Sequence, residues 1–178
     1  PTNRHKSPAR PADASGRHFR INPLGADALL FRWPRSEDQI THLAKPANVP
    51  EPLNLRLMAR AVQAATDATP DDDYGLGESV LLSRPAADPD DPPLPVPVKD
   101  IVICDLRDVA GGWAHAADQD PDQIALDPRL GRVRLGSNLS GPLLVTAHHG
   151  FSRAIGGGEY AREPAGDAHP LQASVKRD

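Results

Sequence analysis

The chain has 178 residues, a net charge of −4, 20 prolines and 14 glycines. That length admits one ordinary domain, but leucine, isoleucine, valine and phenylalanine together number only 38, close to the composition of chains that cannot build a core. Charges of both signs are mixed along the chain, so there is no basic stripe for nucleic acid, and no apolar run has the length of a membrane span or of a signal-peptide core.

Residues 1–18 are polar and proline-rich and read as an arm, and the locally basic stretch Arg4–Arg20, with Arg4, Lys6, Arg10, Arg17 and Arg20, reads as solvated charge. From Phe19 to Pro50, apolar side chains recur without a period and are interrupted by Pro23, Pro34, Pro46 and Pro50. The expectation is an extended N-terminal arm over residues 1–50 that buries single anchors one after another. Phe19, Leu30, Phe31 and Trp33 are its partner-interface residues, placed against a neighbouring subunit, and deletion of residues 1–35 is expected to abolish assembly while leaving the hairpin folded. The chain opens Pro1-Thr2 without Met, which fits initiator removal or a fragment of a longer protein.

A small α+β domain is expected over residues 51–160. Its helix runs from Glu51 to about Thr66, with Pro52 in the first turn and Leu53, Leu57, Met58, Ala61, Val62 and Ala65 on one face. The acidic run from Asp67 to Asp73 lacks the alternating ligand spacing of a calcium loop and reads as a solvated turn. Ser79–Ser83 is a short strand and residues 86–97 are a proline-aspartate linker. The apolar run Ile101–Cys104 reads as a central strand covered on both faces, or one buried at a subunit contact.

Residues 123–135 carry the clearest pattern. Ile124 and Leu126 alternate with Ala125 and Asp127, and Val133 and Leu135 alternate with Arg132 and Arg134. A period of two on both sides of Asp127-Pro128-Arg129-Leu130-Gly131 predicts an antiparallel hairpin, its loop built on a type I turn, with Gly131 at positive φ. A third strand, Leu143–Phe151, is expected to complete a small antiparallel sheet, and residues 161–178 read as a polar tail or linker.

No constellation in the sequence selects a chemistry. Cys104 is the sole cysteine and lies in an apolar run, which reads as a small buried hydrophobe. His148 and His149 are strand neighbours and point to opposite faces, so they are read as structural rather than as a metal pair. Gly156–Gly158 lacks the lysine and helix of a phosphate loop, and the aspartates at 105, 108, 118, 120 and 122 offer no distinguished pair. The sequence-based expectation is therefore no enzyme activity, no cofactor, no metal and no catalytic residue.

Five phrases carry a resemblance: NPLG at Asn22–Gly25, ITHLAKPANVPEPL at Ile40–Leu53, VKDIVICDL at Val98–Leu106, IALDPRLGRVRL at Ile124–Leu135 and HGFSRAIGGGEY at His149–Tyr160. Over about residues 19–162 the chain resembles the N-terminal region of large bacterial phage-tail-like proteins of contractile injection systems, which often continue into β-helix-like repeats. The resemblance implies a structural adaptor or baseplate-type component whose partners are other subunits of a large assembly. It implies cytoplasmic synthesis followed by assembly into a released or anchored particle, and it carries over no catalytic residue. The alternative is the N-terminal part of a β-helical glycan-active enzyme or receptor-binding tail protein whose active site lies outside these residues. The fold expectation is α+β: a small antiparallel sheet, one amphipathic helix and long irregular proline-rich arms.

Overall fold

The computed structural model describes residues 2–36, 41, 43, 45–65, 73–115 and 119–149. It is mostly β-sheet with one α-helix among the described residues, which is an α+β arrangement. The strands are β1 (Thr2–Pro8), β2 (Arg10–Pro11), β3 (His18–Arg20), β4 (Val80–Arg84), β5 (Leu94–Pro95), β6 (Ile101–Ile103), β7 (Asp108–Val109), β8 (Gly112–Trp113), β9 (Ile124–Asp127), β10 (Arg132–Leu135) and β11 (Leu144–His149), and the helix is α1 (Leu55–Ala64). One sheet has the order β1-β11-β4-β5, a second has the order β2-β3-β10-β9-β6, and β7 and β8 form a separate ribbon. Every pairing is antiparallel except β6 with β9.

The hairpin forms as its alternation predicts. β10 pairs with β9 in the register Arg132↔Asp127 to Leu135↔Ile124. The turn is set by Asp127, whose carboxylate accepts from the Arg129 amide at 2.9 Å, and by Gly131 at φ +60. Only glycine takes that φ without a Cβ penalty. Here a second constraint acts with it, because a Cβ on Gly131 would lie 2.6 Å from the Ala28 carbonyl oxygen.

Three expectations give way to tertiary structure. First, the N-terminal segment is not a separate arm. β1 pairs with β11, and β3 pairs with β10, so residues 2–20 supply strands to both sheets. Truncation at residue 35 therefore removes three strands, not a free tail. Second, the strand after the hairpin does not join it. β11 crosses into the other sheet, between β1 and β4, so the expected single small sheet is two sheets. Third, β6 is an edge strand, not a central one. Ile101 and Ile103 are buried because α1 packs against the strand. The tail at 161–178 and the Gly156–Gly158 run lie outside the described residues.

The helix is shorter than its periodicity implies. Asn54 caps it, its side-chain oxygen accepting from the amides of Arg56 (3.0 Å) and Leu57 (3.2 Å), so the helix starts three residues after Pro52. Pro52 instead forms an isolated bridge with Phe31. Met58 and Val62 are buried, whereas Leu57, expected on the same face, is exposed. The main core gathers these with Leu30, Leu53, Tyr74, Leu82, Leu126, Val133 and Val145. A smaller cluster of Leu106, Trp113 and Ala125 covers the opposite side of the hairpin, with Ala12 and Cys104 against it. The hairpin is thus buried on both faces, and even Asp127 and Arg132 are sealed.

Gly131 and Gly16 separate the two costs. Both have positive φ, but a Cβ at Gly16 meets nothing within 4 Å. Gly16→Ala is expected to cost about 1 kcal/mol through backbone strain, and Gly131→Ala about 1–3 kcal/mol more from the displaced Ala28 carbonyl. Urea unfolding of the two variants checks this, and equal losses would remove the steric part of the claim.

Candidate functional site

The segment from Leu29 to Trp33 exposes Leu29 and Trp33 and buries Leu30 between them. It is held as a short ribbon against residues 51–53: the Leu53 amide donates to the Leu30 carbonyl at 2.9 Å, and the Arg32 amide donates to the Glu51 carbonyl at 2.8 Å. On its other side the Phe31 amide donates to the His148 carbonyl at 2.9 Å. The four expected interface residues part company here. Phe19 and Leu30 are buried in the chain's own core, Leu30 completely, so neither has surface to offer a neighbouring subunit. Their receiver is the hairpin and the helix region of the same chain. Phe31 is half-buried. Trp33 remains 38% exposed and stacks on the His148 ring with centroids 4.5 Å apart.

Leu29, also exposed, opens onto a groove of about 540 Å³ whose walls include Pro52, Leu53, Leu55, Arg56 and Arg129. The ribbon is fixed from beneath by charge. Arg32 donates to both carboxylate oxygens of Asp73, at 2.8 and 2.9 Å, and to Glu51 at 2.7 Å. Asp73 is buried, so the end of the acidic run is an internal anchor where a solvated turn was expected. The Ser79 hydroxyl accepts from the Trp33 amide at 3.1 Å, which fixes the indole's backbone.

A second polar centre lies on the far face of the hairpin. The Arg132 guanidinium, with 3% of its side chain exposed, donates to Asp27 at 2.8 and 2.7 Å, to Asp108 at 2.8 and 2.9 Å, and to the Leu106 carbonyl at 2.9 Å. Its carbon lies 4.8 Å from the centroid of the Trp113 ring, within cation–π range. All directions of the guanidinium are satisfied by the chain itself. The hydrogen bonds from Arg132 hold the carboxyls of Asp27 and Asp108 below their ordinary range and raise the Arg132 pKa. Alternation sets Arg132 on the face opposite Val133 and Leu135, and what local pattern does not show is the second apolar layer there, because Trp113 lies in a stretch with no periodicity.

Asp13, Ser15 and His18 form a cluster with the residue types of a hydrolytic triad but not its geometry. His18 Nδ1 lies 2.6 Å from Asp13 Oδ2 and 3.2 Å from the Ser15 hydroxyl, while that hydroxyl donates to Asp13 Oδ1 at 2.5 Å. A triad needs the serine and the carboxylate on opposite ring nitrogens; both sit on the same one here. The Ser15 hydrogen bond holds the Asp13 carboxyl below its ordinary range, and the His18 ring meets Trp113 edge-on at 4.8 Å. The cluster is a turn lock.

The remaining candidates have structural settings. Cys104 is half-buried, and burial pushes its thiol up to about 11, which keeps it protonated near neutrality. His148 is buried against Trp33, while His149 is half-buried and bridges to Leu30. No group of three His, Cys, Asp or Glu side chains suited to a metal ion occurs among the described residues, and no helix there is long and apolar enough to cross a membrane.

Arg132→Met is expected to cost about 3 kcal/mol, at the low end for breaking a buried ion pair because both carboxylates can reach water. Asp27, the less exposed carboxylate, sets the acid limb. Its folded pKa lies below the ordinary value of 3.8, so its contribution is present above about pH 4 and is lost as pH falls through the folded value. Asp27→Asn should flatten that part of a pH–stability curve, measured by urea unfolding, more than Asp108→Asn; an unchanged acid slope would show that Asp27 is uncoupled from folding. Compared with protein-family models, curated proteins and solved structures, the chain matches none.

Proposed function

We propose that this chain is a non-catalytic structural adaptor, a baseplate-type component of a phage-tail-like contractile particle. The observation that carries the reading is the rigid presentation of Trp33. Its indole is 38% exposed and stacks on His148, its backbone amide donates to the Ser79 hydroxyl, and the adjoining Arg32 is tied to Asp73. Tryptophan is the residue type most enriched at the energetic centres of interfaces, and a pre-ordered anchor lowers the entropy cost of docking. Leu29 beside its groove adds a second apolar contact.

The chemistry-bearing side chains support the same reading. Arg132, Asp27, Asp108, Asp73 and the Asp13–Ser15–His18 cluster bind one another and the backbone. Their hydrogen bonds cross-link loops that have little core of their own. An adaptor needs that rigidity, since it transmits position between neighbours. The five sequence phrases that resemble contractile injection system proteins supply the particle.

The test is to tag the full-length protein in its native cell and fractionate the lysate by sedimentation. Wild type is expected in a high-molecular-mass fraction whose negative-stain images show sheath-and-tube particles. Trp33→Ala combined with Leu29→Ala should leave the thermal unfolding of the isolated chain within a few degrees of wild type, yet move it to the light fractions. Recovery of the wild type as a free monomer, or unaltered particle association of the double variant, overturns the reading.

A further inference from the structure

The two larger sheets have four edges, and three carry devices that discourage pairing with another chain. β2 contains Pro11 and β5 contains Pro95. β1 ends in Pro8, and its register shifts between Arg4 and Ser7, where Lys6 has φ +45. Prolines, bulges and edge lysines are the recognised means of blunting an edge. β6 has none of them: its sequence is Ile-Val-Ile, its register with β9 is unbroken, and no described strand lies on its outer side.

The direction of its backbone groups follows from the ladder. The Cys104 amide donates to the Leu126 carbonyl at 3.2 Å, with Ile103 opposite Leu126. In a parallel pair, bonding residues alternate, so Val102 and Cys104 bond to β9 while Ile101 and Ile103 direct their amide and carbonyl groups outward. The Ile101 amide is taken by the Val98 carbonyl. No described residue bonds to the Ile103 amide or carbonyl. Beside this edge runs a groove of about 400 Å³ between α1 and β6, walled by Ala59, Val62, Val98 and Ile101 and flanked by Gln63. Lys99, exposed and without an ion pair among the described residues, is its charged lining residue.

We infer that this groove is a second docking site, independent of Trp33, which takes an extended segment of a partner polypeptide as a further strand on β6. The segment has apolar side chains at alternate positions and a carboxylate where it passes Lys99. Main-chain bonds to Ile103 supply affinity, and the apolar wall selects alternate side chains, as in other strand-addition complexes. A groove walled on one side by a helix suits a single strand, and its positive end sets the charge of the occupant.

The test uses the isotope-labelled full chain and a capped synthetic peptide, Glu-Val-Thr-Val-Thr-Val, followed by amide chemical shifts. Saturable shifts are expected in residues 59–65 and 98–103 at ~1 mM peptide. Backbone N-methylation at alternate peptide residues should abolish them, which no purely apolar contact would do. Lys99→Glu should weaken binding by about two- to fivefold, and a peptide with Lys in place of Glu should reverse that loss. Absence of saturable shifts, or equal binding of the N-methylated peptide, overturns the proposal. So does slow exchange of the Ile103 amide before peptide is added: in a monomer it means that the chain covers its own edge, and in a sedimentation-verified dimer that a second copy does.

Discussion

The guanidinium of Arg132 is the point at which three separate parts of the chain are tied together. Asp27 comes from the loop after β3, Asp108 and the Leu106 carbonyl come from the segment after β6, and Arg132 itself is on β10. None of these loops has a hydrophobic period that would bring it to the hairpin. A planar cation with five donors can meet two carboxylates and a carbonyl at once, and its face can rest on Trp113. Carboxylates that keep contact with water reduce the desolvation penalty that a fully buried pair would meet. The small apolar cluster of Leu106, Trp113 and Ala125 then closes over the same face.

A similar economy operates on the other side of the molecule. Arg32 joins Asp73 and Glu51, which are distant in sequence, and fixes the ribbon that carries Phe31 and Trp33. The chain has few large apolar residues for its length, and it compensates with polar cross-links between loops. Such links are directional, so they fix geometry where a fluid apolar contact would leave choice.

The placement of the N-terminal strands has a consequence for assembly. β1 and β2 are nearly continuous yet lie in different sheets, and both pair with strands from the C-terminal half or with their own neighbour. The two sheets are therefore sewn together by the first 20 residues. Strand partners so far apart in sequence close late, because loop closure precedes the contact that rewards it. The open edge at β6 remains on the opposite side of its sheet from β2.

Local features were legible in the sequence wherever a short-range rule was sufficient. The 124–135 hairpin, the positive φ of Gly131, the strand near residue 80 and the existence of a helix within residues 51–66, though not its start, follow from alternation, turn chemistry and helical spacing within a dozen residues. What only the tertiary structure decided was pairing and depth. Residues 2–20 are too polar and too broken by proline to announce themselves as strands, and they become strands because β10 and β11 present unpaired edges to them. Arg132, Asp127 and Asp73 carry the residue types of solvent, and they are buried because other loops bring the complementary charge or amide to meet them. Phe19 and Leu30 are single anchors in an aperiodic segment, so the identity of the receiving surface, the chain's own core, was set by contacts across more than a hundred residues, which no local pattern encodes.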